Sequence, residues 1–294
     1  MTHLTNDFTT DDGLPTEDEI RRYEDLGFHI APPVIPHELL DAVRDRVESI
    51  QSGERDRTLD ADARFSDWRP GDADVVRNNE FCSLQNDVVR DLVRLPIIGA
   101  IAARLARTAA VRLFDDQLIV KPAMTDGADA QATAVGWHTD GSYWSTCTSD
   151  QMLTAWIPLH DTSSEGGTLC VIAGSHLWPE SEHLRGFKST DMSGIGATVH
   201  RDVAEIDLCD MVLKKGQFSL HHMRAIHGSM PNRASTPRCA VAVHMQDDGN
   251  AHQTYRTPDG TEVVLPHDRL CRAGAEGAPD YRDPAIFPQL WPAG

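Results

Sequence analysis

No run of about 18 apolar side chains occurs anywhere in the 294 residues, so no segment reads as a membrane-spanning helix. Cysteine is sparse, six residues at 82, 147, 170, 209, 239 and 271, and none forms a C-x-x-C pair. That argues against a disulfide-stapled secreted scaffold and predicts free thiols in a reducing compartment. Lysine is scarcer still, with four residues (Lys121, Lys188, Lys214 and Lys215), so arginine carries most of the positive charge. The balance of 27 basic against 45 acidic side chains leaves a net charge of −18. Such a surface repels phosphate backbones, so nucleic acid is not an expected partner. Any anionic ligand must instead find a local cationic pocket. There is no Gly-x-Ser-x-Gly elbow to support a serine hydrolase, and no internal repeat.

What is present is an ordinary globular composition, 40% hydrophobic and 24% charged, at a length that fits one large domain or two small ones. Residues 1–15 are polar and acidic. They do not read as a secretion signal and are expected to form a flexible tail on a soluble, cytoplasmic protein. A single domain is expected over 16–294. Its helical part spans 16–107, its β-rich core about 111–246, and an irregular segment 250–294 wraps the surface.

Thr16-Glu17-Asp18-Glu19 has the form of a capping box opening a helix that Gly27 closes. Pro36 suits the start of a second helix, whose buried stripe is Leu39, Leu40, Val43, Val47 and Ile50. Residues 51–80 show no periodicity and are expected to be loop, able to act as a lid. A helical pair broken at Pro96 covers 86–107. From 111 the pattern becomes short β-like runs: VRLFDDQLIVKP, QMLTAWIPLHD, GTLCVIAG, GQFSLHH and RCAVAVHMQ. Many short strands with turn signals indicate a sandwich or barrel.

The chemistry concentrates in Gly136-Trp137-His138-Thr139-Asp140-Gly141. On an extended strand, residues i and i+2 face the same side, so His138 and Asp140 can reach one metal. A third ligand from elsewhere would complete a two-His, one-carboxylate face, the arrangement typical of non-haem Fe(II) oxygenases. Taken alone, His-x-Asp more often marks a polar surface turn. The second segment is His227-Gly228-Ser229-Met230-Pro231, followed by Arg238 at the head of a β-like run. A guanidinium there can hold a carboxylate bidentately, and Ser229 can add a hydroxyl donor; a rim salt bridge is the plainer reading of Arg238 by itself.

With these residues in place, the chain resembles the phytanoyl-CoA dioxygenase family of iron- and 2-oxoglutarate-dependent oxygenases. The matching features run in order. They are Glu24-Asp25-Leu26-Gly27-Phe28, the stretch from Gln117 to Pro122, the Trp-His-Thr-Asp motif, Ala155-Trp156, Glu165-Gly166-Gly167, Gly174-Ser175-His176 and His227-Gly228-Ser229 with Arg238 eleven residues on. The resemblance covers roughly 16–246. It implies a mainly β fold with flanking helices, a double-stranded β-helix or cupin-like jelly roll. It implies Fe(II) held by His138, Asp140 and His227, with 2-oxoglutarate and O2 as cosubstrates. Arg238 and Ser229 would bind the distal carboxylate of 2-oxoglutarate, and Trp156 and Gln117 would line its pocket. The implied reaction is hydroxylation of a small organic molecule with release of succinate and CO2. Related halogenases place Ala or Gly at the position of Asp140, so the carboxylate here favours hydroxylation.

Neighbouring residues admit more than one role. Trp156 lies among Leu153, Ile157 and Leu159 and also suits core packing. Lys121 is a possible partner for Gln117. Tyr143 and Trp144 directly follow the metal motif and are candidate substrate contacts. His176 reads as structural, and His221 and His222 rank well below His227 as ligands. A cupin-type metal-dependent isomerase or a non-enzymatic metal-binding module is the alternative function; neither needs the Arg238/Ser229 clamp.

Overall fold

In a computed structural model, residues 13–73, 75–127, 129–274 and 277–292 are described. Most of the expected N-terminal tail, residues 1–12, lies outside them. Residue 14 does not behave as tail: Leu14 packs against the core. The first elements follow their sequence signals. Helix α1 (Glu17–Leu26) has the full capping box, with the Glu19 N–H donating to Thr16 Oγ1 and the Thr16 N–H to Glu19 Oε2. Gly27 caps its C-terminus at φ 77°. Strand β1 (Phe28–Ala31) and helix α2 (His37–Gln51) follow, the latter burying Leu40, Val43, Val47 and Ile50. Leu39 is half-buried against the same core.

Gly27 is held in place by more than its backbone angle. A Cβ there would stand 2.4 Å from Nδ1 of His176, whose Nε2 bonds the Glu24 carbonyl at 3.0 Å. Gly27→Ala is therefore expected to destabilise the fold by about 1–3 kcal/mol, read as a lowered Tm. An unchanged Tm would show that the α1–His176 junction is not tight.

Within 51–80 the structure departs from expectation. Residues Arg77–Glu80 form strand β2, which pairs with the longest strand, β3 (Val111–Lys121), through Glu80 opposite Gln117. Part of the expected loop is thus an edge strand, a role its Arg-Asn-Asn-Glu sequence does not advertise. Helices α3 (Cys82–Gln85), α4 (Asp87–Val93) and α5 (Pro96–Leu105) fill the space before β3, with the break at Pro96 as expected.

The remaining strands are β4 (Val135–His138), β5 (Leu153–Pro158), β6 (Leu169–Ile172), β7 (Leu208–Asp210), β8 (Phe218–His222), β9 (His227–Ser229), β10 (Arg238–Asp247) and β11 (Gln289–Trp291). Two short helices, α6 (Ile195–Thr198) and α7 (Pro266–Leu270), lie between them. Among the described residues the strands make two antiparallel sheets. The larger runs β1-β8-β5-β10-β3-β11 with β2 also on β3, and the smaller runs β4-β9-β6-β7. This is the expected jelly roll.

Period-two alternation sorts the large sheet's faces. Cys239, Val241, Val243 and Met245 of β10, with Leu153, Ala155 and Ile157 of β5, pack against α2, α4 and α5. The intervening residues, Thr154, Trp156, Arg238, Ala242 and His244, line a cleft whose other wall is the small sheet. The functional face is thus the inner face between the sheets.

The C-terminal segment also departs from expectation. Tyr281, Ile286 and Phe287 are buried with Phe114, and β11 pairs with β3, so the segment completes the core rather than wrapping the surface. Its Pro/Gly content masks these three apolar anchors. All six cysteines are free. Among the described residues no helix is long and apolar enough to cross a membrane.

Candidate active site

Two residues 89 positions apart in the chain meet because β4 and β9 are neighbours: His138 pairs directly with His227. Their ring centroids are 4.2 Å apart. Thr139 stays extended (φ −125°, ψ 140°), so Asp140 returns to the side of His138, although it already begins a 3-10 turn rather than lying on the strand. The donor atoms of His138, Asp140 and His227 all lie within 4.8 Å of one another, and all three residues are buried. No other such group of three is gathered among the described residues.

The tautomers are set by partners that can only accept. Nδ1 of His138 lies 2.8 Å from the Gly136 carbonyl, and Nδ1 of His227 lies 2.9 Å from the Ala225 carbonyl. Each Nδ1 therefore carries the proton, and each Nε2 presents its lone pair inward, as metal ligation requires. Those lone pairs lie 3.9 and 3.5 Å from Oδ1 of Asp140. Burial, reinforced for His227 by the neighbouring imidazoles, keeps both rings neutral, well below the ordinary histidine range in the case of His227. Burial alone would raise Asp140, but the imidazoles of His227 and His244 and the hydrogen bond to His221 outweigh it and hold the carboxyl well below its usual range. Two neutral imidazoles and a carboxylate are the donor set a divalent iron needs.

The other carboxylate oxygen is committed to the protein. Oδ2 of Asp140 accepts the Thr154 hydroxyl at 2.6 Å and Nε2–H of His221 at 3.2 Å. Thr154 Oγ1 in turn lies 2.8 Å from Nδ1 of His244. This division leaves Oδ1 free to face the metal position. His221 thus braces Asp140 and is not itself one of the three gathered donors. His222, next along β8, points away, its ring 5.3 Å from that of His176. Thr154 and His244 are site residues the sequence reading missed. Thr154 is the one polar residue on its face of β5, and His244 shares its face of β10 with Arg238 and Gln246; a polar side chain facing inward from a largely apolar run was the available signal. Thr154→Val is expected to weaken Fe(II) binding about 10- to 100-fold with little change in Tm. An unaltered Fe(II) titration would show that Asp140 needs no such brace.

Arg238, across the cleft, is buried, and its Nε and Nη1 have no hydrogen-bond partner. Its Cζ stands 5.6 Å over the Trp156 ring. Burial lowers its pKa to about 10, still charged at neutral pH. A buried cation with two unused donors is costly unless an anion joins it. Ser229, Trp156 and Gln117 line the same cleft, which runs to the His–Asp–His group. The free volume there is about 40 Å³, so a dicarboxylate entering it displaces lining side chains. Trp156 also packs with Leu169, Val171 and Ala240, so its core and lining roles coincide. Lys121 does not partner Gln117. Its ammonium, opposite Arg238 in the sheet, donates to the carbonyls of Ser229 and Met230.

A second, roomier cavity of about 350 Å³ opens on the other side of His138 and Asp140. Tyr143 and Trp144 both line it. Trp144 is wedged between Phe114 and His244, and the Tyr143 hydroxyl accepts the Phe187 N–H at 3.3 Å.

The family model of phytanoyl-CoA dioxygenase (PhyH) matches residues 23–240, most of the chain, from within α1 to the third residue of β10. The chain belongs to the phytanoyl-CoA dioxygenase family. With it comes the class expected from the sequence, the iron- and 2-oxoglutarate-dependent oxygenases. A relative from Stutzerimonas stutzeri, named as a probable alpha-ketoglutarate-dependent hypophosphite dioxygenase, is 26% identical over 223 residues, 74% of each chain. Among solved structures, the carbocyclase SnoK of nogalamycin biosynthesis superposes with a TM-score of 0.67 at 22% identity, over 94% of this chain and 96% of that one. The epimerase SnoN, in complex with Fe3+, alpha ketoglutarate and nogalamycin RO, gives 0.67 at 24% identity, over 93% and 98%. At these identities the structural likeness is one of fold.

Proposed function

We propose that this member of the phytanoyl-CoA dioxygenase family hydroxylates a small organic molecule, within one domain spanning 16–294. Fe(II) would be held by His138, Asp140 and His227. The distal carboxylate of 2-oxoglutarate would be held by Arg238 and Ser229, with Trp156 and Gln117 along its cleft. The substrate would occupy the cavity beside Tyr143 and Trp144. The observation that carries this reading is the buried guanidinium of Arg238, with two unused donors facing the cleft that leads to the His–Asp–His group. A metal-dependent isomerase or a metal-binding module would keep the three ligands but has no use for that cation.

When bound, Fe(II) and 2-oxoglutarate supply an oxidant from O2, with loss of CO2 and formation of succinate. The chain's own residues do the rest. Gly136 and Ala225 carbonyls fix the two imidazoles in the ligating tautomer. Thr154 and His221 hold Asp140 so that one oxygen faces the ion. Arg238 fixes the far end of the cosubstrate, and its fork shape sets the orientation. Phe187 and Trp144 line the reaction space and help exclude water. Asp140 occupies the position that halogenases leave open, which favours transfer of a hydroxyl.

The test is a substrate screen with the Fe(II)-loaded enzyme, scored by succinate release and product mass. A compound that stimulates succinate release and gains one oxygen atom is the expected hit. A product that instead loses two hydrogens, at the same stoichiometry, would reassign the reaction to desaturation or ring closure.

A further inference from the structure

Two adjacent aspartates on β3 are both buried, and they are treated very differently. Asp116 is satisfied: it accepts the Ser83 N–H at 2.9 Å and the Ser83 hydroxyl at 2.5 Å. Asp115 is not. Its Oδ1 has no hydrogen-bond partner, although the residue is only 3% exposed. Buried polar atoms in native proteins are almost always paired, so an orphan calls for an explanation. Asp115 owes its aim to a β-bulge. Met245 of β10 pairs with Leu113 and His244 pairs with Asp115, leaving Phe114 as the extra residue. Leu113 packs on the helix side, yet Asp115, two residues on, lines the cavity next to His138 and Asp140. A bulge that redirects one side chain beside a reaction centre is a built feature.

The rest of that wall repeats the chemistry. Glu80 stands opposite Gln117 on β2, diagonally next to Asp115, and also lines the cavity. The carbonyl oxygen of the Asn78 side chain, on the same wall, is buried and unpartnered. His267 Nε2 lies 3.7 Å from Asp115 Oδ2, but burial pushes this ring, stacked on Phe114, down to about 3, so it is neutral and no counter-ion. Lys188, exposed, is the one lysine or arginine on the lining among the described residues, and its charge acts on Glu80. Burial and the mutual repulsion of Glu80, Asp115 and Asp116 push Asp115 well above the ordinary carboxyl range. A cation between the carboxylates would relieve that repulsion.

We propose that the substrate is an organic cation, carrying a protonated amine or amidine that sits against Asp115 and Glu80 while its reacting carbon faces His138, Asp140 and His227. This rests on the cavity being the substrate site of an oxygenase, and it narrows the substrate class. The same wall disfavours anions, so a substrate like the hypophosphite named for the Stutzerimonas stutzeri relative does not fit here. The net charge of −18 also draws cations towards the protein.

The test uses the full chain, loaded with Fe(II) and 2-oxoglutarate without oxygen. Calorimetric titrations compare four probes: cyclohexylamine, cyclohexanol, cyclohexanecarboxylate and hypophosphite. The ammonium is expected to bind at least tenfold more tightly than the alcohol, with both anions weaker still. In Asp115→Asn, and separately in Glu80→Gln, that preference should fall to within about threefold. The Fe(II)–2-oxoglutarate absorption band should be unchanged, and a thermal melt checks folding. The proposal is overturned if the alcohol or either anion binds as well as the ammonium, if no probe binds, or if both folded variants keep the full preference. Loss of the absorption band in the wild type would instead defeat the oxygenase reading, and the probe ranking can be scored regardless.

Discussion

Asp140→Ala is expected to reduce turnover, measured as succinate release with any active substrate, by about 10³-fold or more. The reason is local. His138 and His227 offer two neutral nitrogens, and Asp140 supplies the one anionic donor in the group. Without it, a divalent ion is held by two imidazoles in a buried space that disfavours uncompensated charge. The substitution also releases Thr154 and His221, which now hold Oδ2, so the remaining donors lose their order. The fold should survive, because both imidazoles keep their backbone carbonyl partners. Fe(II) titration should show the loss directly. An Asp140→Ala protein that binds Fe(II) normally and turns over at wild-type rate would remove this carboxylate from the site.

Arg238→Ala carries the second large effect. Truncating one partner of a buried, hydrogen-bonded charge pair costs about 2–4 kcal/mol, roughly a 30- to 1000-fold loss of 2-oxoglutarate affinity. Fe(II) affinity should be unchanged, since Arg238 lies across the cleft from the ligands. Arg238→Lys should not restore binding, because an ammonium cannot make the paired contact of a planar fork. A further signature separates a ligand-binding role from a structural one. In the absence of 2-oxoglutarate the guanidinium is an unpaired buried cation, so removing it should leave Tm unchanged or raise it. Undiminished cosubstrate affinity in the alanine variant would take Arg238 out of the cleft's chemistry.

Much of this arrangement was legible in the residues. Strands β3, β5, β8 and β10 coincide with β-like runs because their outer faces need apolar residues against the helices, and β6 because both of its faces are buried in apolar clusters. His138, Asp140 and His227 sit in motifs whose glycines are constrained by close packing, Gly136 against the Gly186 carbonyl and Gly228 against β4. A Cβ on Gly228 would stand 2.8 Å from the Val135 carbonyl. What was hidden depends on pairing rather than on pattern. β2 has no strand composition and exists because β3 offers a free edge. The bulge at Phe114 changes which face Asp115 occupies, and period-two reading cannot anticipate a skipped residue. His221 and His222 look alike in sequence, yet alternation on β8 sends one to Asp140 and the other towards His176. The C-terminal segment joins the core through Tyr281, Ile286 and Phe287, which fall among Pro, Asp and Arg with neither helical nor strand periodicity.

The most direct measurement is an anaerobic titration of the metal-free protein with Fe(II) and then 2-oxoglutarate, followed by visible absorbance. The central claim is that one ferrous ion sits among His138, Asp140 and His227 within reach of a dicarboxylate anchored on Arg238. It predicts a chelate band that saturates at one equivalent of each and is lost in Asp140→Ala. Fe(II) bound at one equivalent, with no band at any concentration of 2-oxoglutarate, would contradict it.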